Sequence, residues 1–411
     1  MTERLSTACC IAGGGPAGMM LGLLLARAGI EVIVLEKHRD FLRDFRGDTV
    51  HPSTLTLFHE LGLLDKFLAL PHEKVRRLTG FVGEDEIALA DFSRLHVPAP
   101  FIALVPQWDL LSFLAEQAGR YPGFRLIMRA EATGLLREND RIAGLTATTP
   151  GGPLDVRARL TVACDGRSSV LRGKAGLEVE NLGAPLDVFW FSLPRLPTDA
   201  GDITGRFFPG AIFVQISRGE YWQCAFAIEK GAAGAVRAEG LPGFRARVAL
   251  AAPFLSDRVD TLADWEQVKL LTVRVDRLRR WRRDGFLCIG DAAHAMSPVG
   301  GIGINLAVQD AVAAANLLWK PLVEGRLAEA DLARVEARRL WPTRVTQFVQ
   351  VQAQNRIIAP TLRAGATGAG RPFTAPWIVR NLQRIPFLRD APAGFVGLGV
   401  RPEHIHSPER V

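Results

Sequence analysis

Hydrophobic and polar positions along the chain fall into two rhythms. The first is a short, unbroken apolar run that ends abruptly in glycine or an acid. Ala8 to Ala12 is such a run and is followed by Gly13-Gly14-Gly15-Pro16-Ala17-Gly18. An apolar helical stretch then reaches Ala28, Gly29 closes it, and Glu31 to Leu35 forms a second run ending at Glu36. Phe101 to Leu104, Leu160 to Ala163 and Phe286 to Ile289 repeat the type, the last two running into Cys164-Asp165-Gly166 and Gly290-Asp291. Runs of this length read as strands buried on both faces, as in a parallel sheet.

The second rhythm is alternation. Arg125 to Arg129, Glu131 to Glu138, Arg141 to Thr148 and Leu154 to Arg159 read as an antiparallel meander, with turns at Asn139-Asp140 and Gly151-Gly152. Val75 to Phe92 and the longer stretch Val188 to Ile228 alternate in the same way and are rich in aromatics. Helical periodicity appears after Pro52-Ser53, where Ser53 suits an N-cap, over Leu110 to Arg120, around Gly243 to Leu250, over Ile304 to Trp319 and over Leu327 to Gln352. Parallel-type strands therefore bracket antiparallel material. This predicts an α/β fold with a discontinuous dinucleotide-type domain (1–76, 99–182 and 268–325), an inserted antiparallel-sheet domain (77–98 and 183–267) and a C-terminal helical region (326–411). Ligands are expected in the cleft between the two.

Composition narrows the picture. The 411 residues are 48% hydrophobic and 23% charged, as in ordinary globular domains. The net charge of +7 comes with arginine clusters at Arg274–Arg283 and Arg334–Arg344 that lack aromatic interleaving, which argues against nucleic acid. Five scattered cysteines in apolar surroundings read as reduced thiols, without metal-ligand spacing. The N-terminus lacks the apolar core of a signal peptide, and the apolar helix Ala17 to Ala28 is too short to span a bilayer. A cytoplasmic protein is expected, a monomer or homodimer, with no metal and no integral membrane segment. The arginine-rich C-terminal helix is read as packing on the core, with peripheral membrane contact as the other reading.

The chemistry lies in the glycines. Gly13-x-Gly15-x-x-Gly18, between a strand and a helix and with Glu36 closing the next strand, is the arrangement that binds an adenine dinucleotide. Gly13 permits the turn, Gly15 admits a pyrophosphate, and Gly18 with Gly22 lets helix and sheet approach. The helix N-terminus offers N–H groups and positive dipole. A second loop, Pro298-Val299-Gly300-Gly301-Ile302-Gly303, again runs straight into a helix. Its bare backbone suits a flat ring, and its helix N-terminus suits negative charge, such as a reduced flavin carries. Asp291 stands where a carboxylate can accept from sugar-like hydroxyls.

On three motifs, Gly13-x-Gly15-x-x-Gly18 with Glu36, Asp165-Gly166-Arg167-Ser168, and Gly290-Asp291-Ala292-Ala293-His294 with Pro298, Gly300, Gly301, Gly303 and Asn305, the chain resembles the FAD-dependent aromatic hydroxylases of the para-hydroxybenzoate hydroxylase type. The likeness covers roughly residues 8 to 320. It implies a Rossmann-like FAD-binding domain, with Gly13, Gly15, Pro16, Ala17, Gly18, Glu36 and Lys37 at the adenosine end. Arg46 would touch the pyrophosphate, and Gln107 would stand beside the cofactor. Asp165 and Gly166 would sit near the phosphates, and Asp291 after Gly290 would hold the ribityl chain. Pro298 and Gly300 to Asn305, with Ile302 where many members have glutamine, would cradle the ring. NADPH or NADH would reduce FAD, O2 would give a flavin hydroperoxide, and an aromatic ring would be hydroxylated. Pro298, through its carbonyl, and His294 are the candidate catalytic positions, His294 being read mainly as cofactor packing.

Substrate residues are expected on the inserted sheet: Phe213, Gln215, Trp222 and Gln223, suited to a fairly large and apolar aromatic. Two other enzyme classes share such a fold. Halogenases carry a Trp-x-Trp that this chain lacks, and isoprenoid-saturating reductases work without oxygen. A non-catalytic escort on the same scaffold would have lost the three motifs.

Overall fold

The computed structural model describes residues 2–42, 49–82, 85–199, 203–364 and 389–410. Its main sheet carries five parallel strands in the order Phe124–Met128, Val32–Glu36, Glu3–Ala12, Gly152–Ala163, Phe286–Cys288, with Arg282–Arg283 antiparallel at the edge. The central strands are buried in one apolar core that also takes in Ile142, Leu145 and Ala147 of the meander. Pro16–Arg27, Gln107–Ala118 and Gly303–Val323 pack together, and Glu329–Ala353 lies against the last of these. The C-terminal ends of the strands are aligned. Ala12 pairs with Leu35 on one side and Ala163 on the other, and Ala163 pairs with Cys288. The stretches that follow Ala12, Leu35, Ala163 and Cys288 therefore emerge at one edge, where ligands of open α/β sheets bind.

Three details differ from the sequence reading. Phe124–Met128 is not part of the meander but a parallel strand beside Val32–Glu36. Leu154 to Arg159 and Leu160 to Ala163 are one strand. Gly152–Arg157 pairs antiparallel with Arg141–Thr149, and Thr161–Ala163 changes partner to Phe286–Cys288. The alternating half is exposed on one face and the apolar half is buried, so one strand shows both rhythms. Ser53 is also not an N-cap. The helix Pro52–Glu60 is capped at His51, with Pro52 at its first position.

The second sheet runs Lys269–Leu271, Leu186–Pro194, Tyr221–Glu229, Ala211–Ser217, Ile203–Phe208, Arg77–Val82, Asp85–Asp91. All pairings are antiparallel except Ile203–Phe208 with Arg77–Val82. One face buries Phe189, Phe191, Phe213, Trp222 and Phe226 against Phe244 and Val248 of the helix Gly240–Ala251. Each of these phenylalanines stabilises the fold by on the order of 2–3 kcal/mol through burial. The other face carries Val188, Ile212, Val214, Ala225 and Trp190, packed with Ile358, Leu362 and, from the second glycine loop, Val299. By length and composition alone, Val299–Val323 could cross a membrane, but 72% of its most apolar window is buried inside the protein. Among the described residues, no group of three His, Cys, Asp or Glu is arranged to hold a metal.

Candidate functional site

Both glycine loops lie at the C-terminal edge of the main sheet. In the first, Gly13 (φ +108°) passes so close to the next strand that a Cβ would stand 2.3 Å from the Cys164 carbonyl oxygen. A Cβ at Gly18 would stand 2.0 Å from the Gly13 oxygen, and one at Gly22 would stand 2.9 Å from the Phe124 ring. Gly15, in contrast, faces open space, with nothing within 4 Å of where its Cβ would be. It is the N-cap of Pro16–Arg27, and no side chain caps that end. Glu36 is buried and closes the loop from the next strand. Its Oε2 accepts from Gly14 N–H (3.0 Å) and its Oε1 from His38 N–H (3.0 Å).

The second loop has the same plan with other supports. Gly300 (φ +80°) and Gly301 (φ +62°) are left-handed, and the Pro298 carbonyl accepts from Gly301 N–H at 3.0 Å. Ile302 caps Gly303–Val323 without a side-chain bond, and Gly303 faces open space. A short strand, Thr49–Val50, backs the loop. Thr49 Oγ1 donates to the Gly301 carbonyl (3.1 Å). Asn305 is buried, and its Oδ1 accepts from His51 N–H (3.0 Å) and from Thr54 Oγ1 (2.7 Å).

Between the loops sits a buried charge cluster. Asp310 Oδ2 accepts from Gly290 N–H at 3.0 Å and meets His294 Nε2 at 2.6 Å, while Asp310 Oδ1 accepts from Arg339 Nε at 2.9 Å. Burial pushes the Asp310 carboxyl up, but His294 and Arg339 outweigh it and hold it below the ordinary value. Arg339 continues to Glu403 (3.0 Å) and to the Arg401 carbonyl (3.1 Å), tying in the C-terminal segment. Gly290 is left-handed, and a Cβ there would meet Ala17 at 3.1 Å and Ala307 at 3.2 Å, so the helices after both loops touch across it.

Asp165 lies beside this cluster. Its Oδ2 accepts from Leu171 N–H (3.3 Å), its Oδ1 is buried without a partner, and burial raises its pKa. Arg172 is a buried staple. It donates to the Arg167 carbonyl (2.7 Å) and the Ala292 carbonyl (3.3 Å), joining the Asp165-Gly166 turn to the Gly290 turn. Asp291 is half-buried and pairs with Arg167 at 3.5 Å. Two uncapped helix N-termini suit anionic groups, two glycines leave space for a ligand's approach, and the Asp165 oxygen can accept from a hydroxyl. That donor set fits a dinucleotide running from one loop to the other.

Comparison with known proteins decides the family. The model of the FAD binding domain family matches residues 6–349. The chain belongs to this family. It is 33% identical over 405 residues to the 6-methylpretetramide 4-monooxygenase of Streptomyces rimosus, covering 97% of this chain and 94% of that protein. The para-nitrophenol 4-monooxygenase of a Pseudomonas strain is 27% identical over 82% of this chain and 85% of its own. A solved structure, the OxyS anhydrotetracycline hydroxylase from Streptomyces rimosus, superposes with a TM-score of 0.75 at 25% identity, over 97% of this chain and 77% of that one. Several other curated relatives are longer, and the chain spans 60% to 66% of them. The protein is thus an FAD-dependent monooxygenase of the aromatic hydroxylase type, from a family that takes its reducing equivalents from NAD(P)H.

Within this flavoprotein frame, the expected residues separate into groups. Gly13, Gly15, Pro16, Ala17, Gly18 and Glu36 share the first loop, with Lys37 exposed beyond it. Asp165, Gly166, Gly290 and Asp291 share the middle of the edge, and Pro298, Gly300, Gly301, Ile302, Gly303 and Asn305 share the second loop. Gln107 opens the helix Gln107–Ala118. Arg46 lies outside the described residues. His294 is 1% exposed and engaged by Asp310, and its ring lies tilted against Trp281 (5.1 Å), so it is built into the support rather than facing a ligand.

Three of the four substrate candidates need correction. Phe213, Gln215 and Trp222 lie on the sheet face covered by Gly240–Ala251, and Trp222 Nε1 donates to Asp199 at 2.9 Å. The period-2 pattern groups residues by face, but both faces are apolar, so the choice between them needed tertiary packing. Gln223 is on the opposite face and accepts from Arg218 Nε at 2.8 Å. Sequence reasoning missed Trp190, Thr49, His51, Asp310 and Arg339. Asp310, seven residues after Gly303 on an otherwise apolar helix face, was the one readable signal.

Proposed function

We propose that the first loop holds the adenosine diphosphate part of FAD and the second its ring, and that the protein hydroxylates an aromatic polyketide. Gly15 and the uncapped start of Pro16–Arg27 would receive the pyrophosphate, Glu36 the ribose, Asp291 the ribityl chain, and Gly300–Asn305 the isoalloxazine. When bound, FAD supplies the redox and oxygen chemistry. The chain's own residues bind, orient and keep out water. Residues 1–76, 99–182 and 268–325 would act as the FAD domain, and 77–98 with 183–267 as the wall over the ring.

The observation that carries the substrate reading is the inner face of the second sheet. Trp190 and Val214 pack both with the group holding Val299 and with the group holding Ile216, Ala393 and Val396. An apolar wall with aromatic surface stands against the flavin loop. It suits a large, mostly apolar ring system. The named substrate of the 33% identical relative supports the same class. The test is turnover under air with phenolic polyketides. NADPH oxidation is expected to be coupled to a product one oxygen atom heavier. Substrate-independent NADPH oxidation that yields only peroxide, across polyketides and simple phenols alike, would count against this substrate class.

A further inference from the structure

His51 is completely buried, and the known chemistry gives it no task. Its Nδ1 is 2.7 Å from the Val396 carbonyl oxygen, which can only accept, so Nδ1 carries the proton and Nε2 is a bare lone pair. That Nε2 is buried with no hydrogen-bond partner in the protein. Burial pulls the imidazole's pKa down to about 4, against the Val396 bond, so the ring is neutral at neutral pH. A buried acceptor left unmade is costly, and native folds retain one where a ligand completes it. The lone pair stands beside the second loop, since a Cβ at Gly301 would lie 3.5 Å from Nε2. The adjoining backbone is already committed, with His51 N–H to Asn305 and Thr49 Oγ1 to Gly301.

We propose that His51 Nε2 is a cofactor-facing hydrogen-bond acceptor that receives the ring N–H of the isoalloxazine bound at Gly300–Gly303. This rests on the placement of the FAD ring given above. The oxidised ring carries one N–H, between two carbonyls, and a neutral imidazole accepts from it without taking the proton. A ring held at its N–H is fixed in the loop plane, which sets how the other face meets the substrate.

The two nitrogens can be separated. In His51→Asn the side-chain amide reaches the Nδ1 position and keeps the donor to Val396 while removing the acceptor. In His51→Gln the amide reaches the Nε2 position and restores an acceptor there. FAD dissociation constants, read by flavin fluorescence, and melting temperatures of FAD-stripped protein are the two readouts. The expected result is about tenfold weaker FAD binding in His51→Asn with a nearly unchanged melting temperature, and binding within about threefold of wild type in His51→Gln. ADP affinity is expected to stay constant in both. Unchanged FAD binding in His51→Asn, or a loss that merely follows a fall in melting temperature, would overturn the proposal. Failure of the wild-type protein to bind ADP and FAD would instead count against the loop assignment itself.

Discussion

The two glycine loops look alike in sequence and are built differently. Around Gly13–Gly18 the constraint is backbone against backbone. Gly13 is pressed on the Cys164 carbonyl and Gly18 on Gly13 itself, within one strand–turn–helix unit and its neighbour strand. Around Pro298–Gly303 the support comes from a distant segment of the chain, where Thr49 Oγ1 donates to the Gly301 carbonyl and His51 N–H and Thr54 Oγ1 donate to Asn305 Oδ1. The first loop is a local device, so its shape cannot be separated from the fold. The second is a tertiary device, which can lose its supports one at a time and leave the fold standing.

This difference can be attacked directly. Gly13→Ala forces a Cβ within 2.3 Å of a carbonyl that cannot yield, at a φ that L-residues avoid. A cost on the order of 4 kcal/mol or more is expected, seen as a collapse of the denaturation midpoint rather than a mere loss of FAD. Arg339→Met removes one partner of the buried Asp310 that supports Gly290 between the loops. Roughly 3–5 kcal/mol should be lost in urea denaturation, with both FAD and ADP binding weakened.

Acid offers a subtler probe. His51 has its pKa held down to about 4 in the folded protein, below the ordinary value near 6.5. Between those values the unfolded chain binds the proton and the folded one does not, so stability falls as pH drops from about 6.5 toward 4. The full contribution is roughly 3 kcal/mol, and it should vanish from the pH dependence of His51→Asn. The smallest expected effect is that of Thr49→Val. It removes one neutral hydrogen bond to the Gly301 carbonyl, about 1 kcal/mol, and should weaken FAD a few-fold while leaving ADP binding alone. Equal loss of both ligands in that variant would erase the distinction between the loops.

Much of this was legible in the chain because the chemistry sits where strands stop. The strand-glycine boundary at Ala12, the Asp165-Gly166 turn and the Gly290-Asp291 turn are local signals, and the parallel sheet brings local signals to one edge without further information. What was not legible depended on which face met which neighbour. Phe213 and Trp222 alternate just as wall residues would, yet the helix Gly240–Ala251 covers their side. His294 reads as a base by type, and only its Asp310 partner, itself held by Arg339, reveals a buried support. His51 carries no sequence signal beyond preceding Pro52, because its meaning comes from Val396 and Gly301, both far along the chain.

The central claim is that the two loops hold the two ends of one FAD. It is tested most directly by titrating Gly301→Ala, whose Cβ would meet Thr49 Oγ1 at 2.7 Å, with ADP and with FAD side by side. The account predicts ADP binding equal to that of the wild type and FAD binding at least about tenfold weaker. Parallel loss of both ligands, or FAD binding left intact, would contradict it.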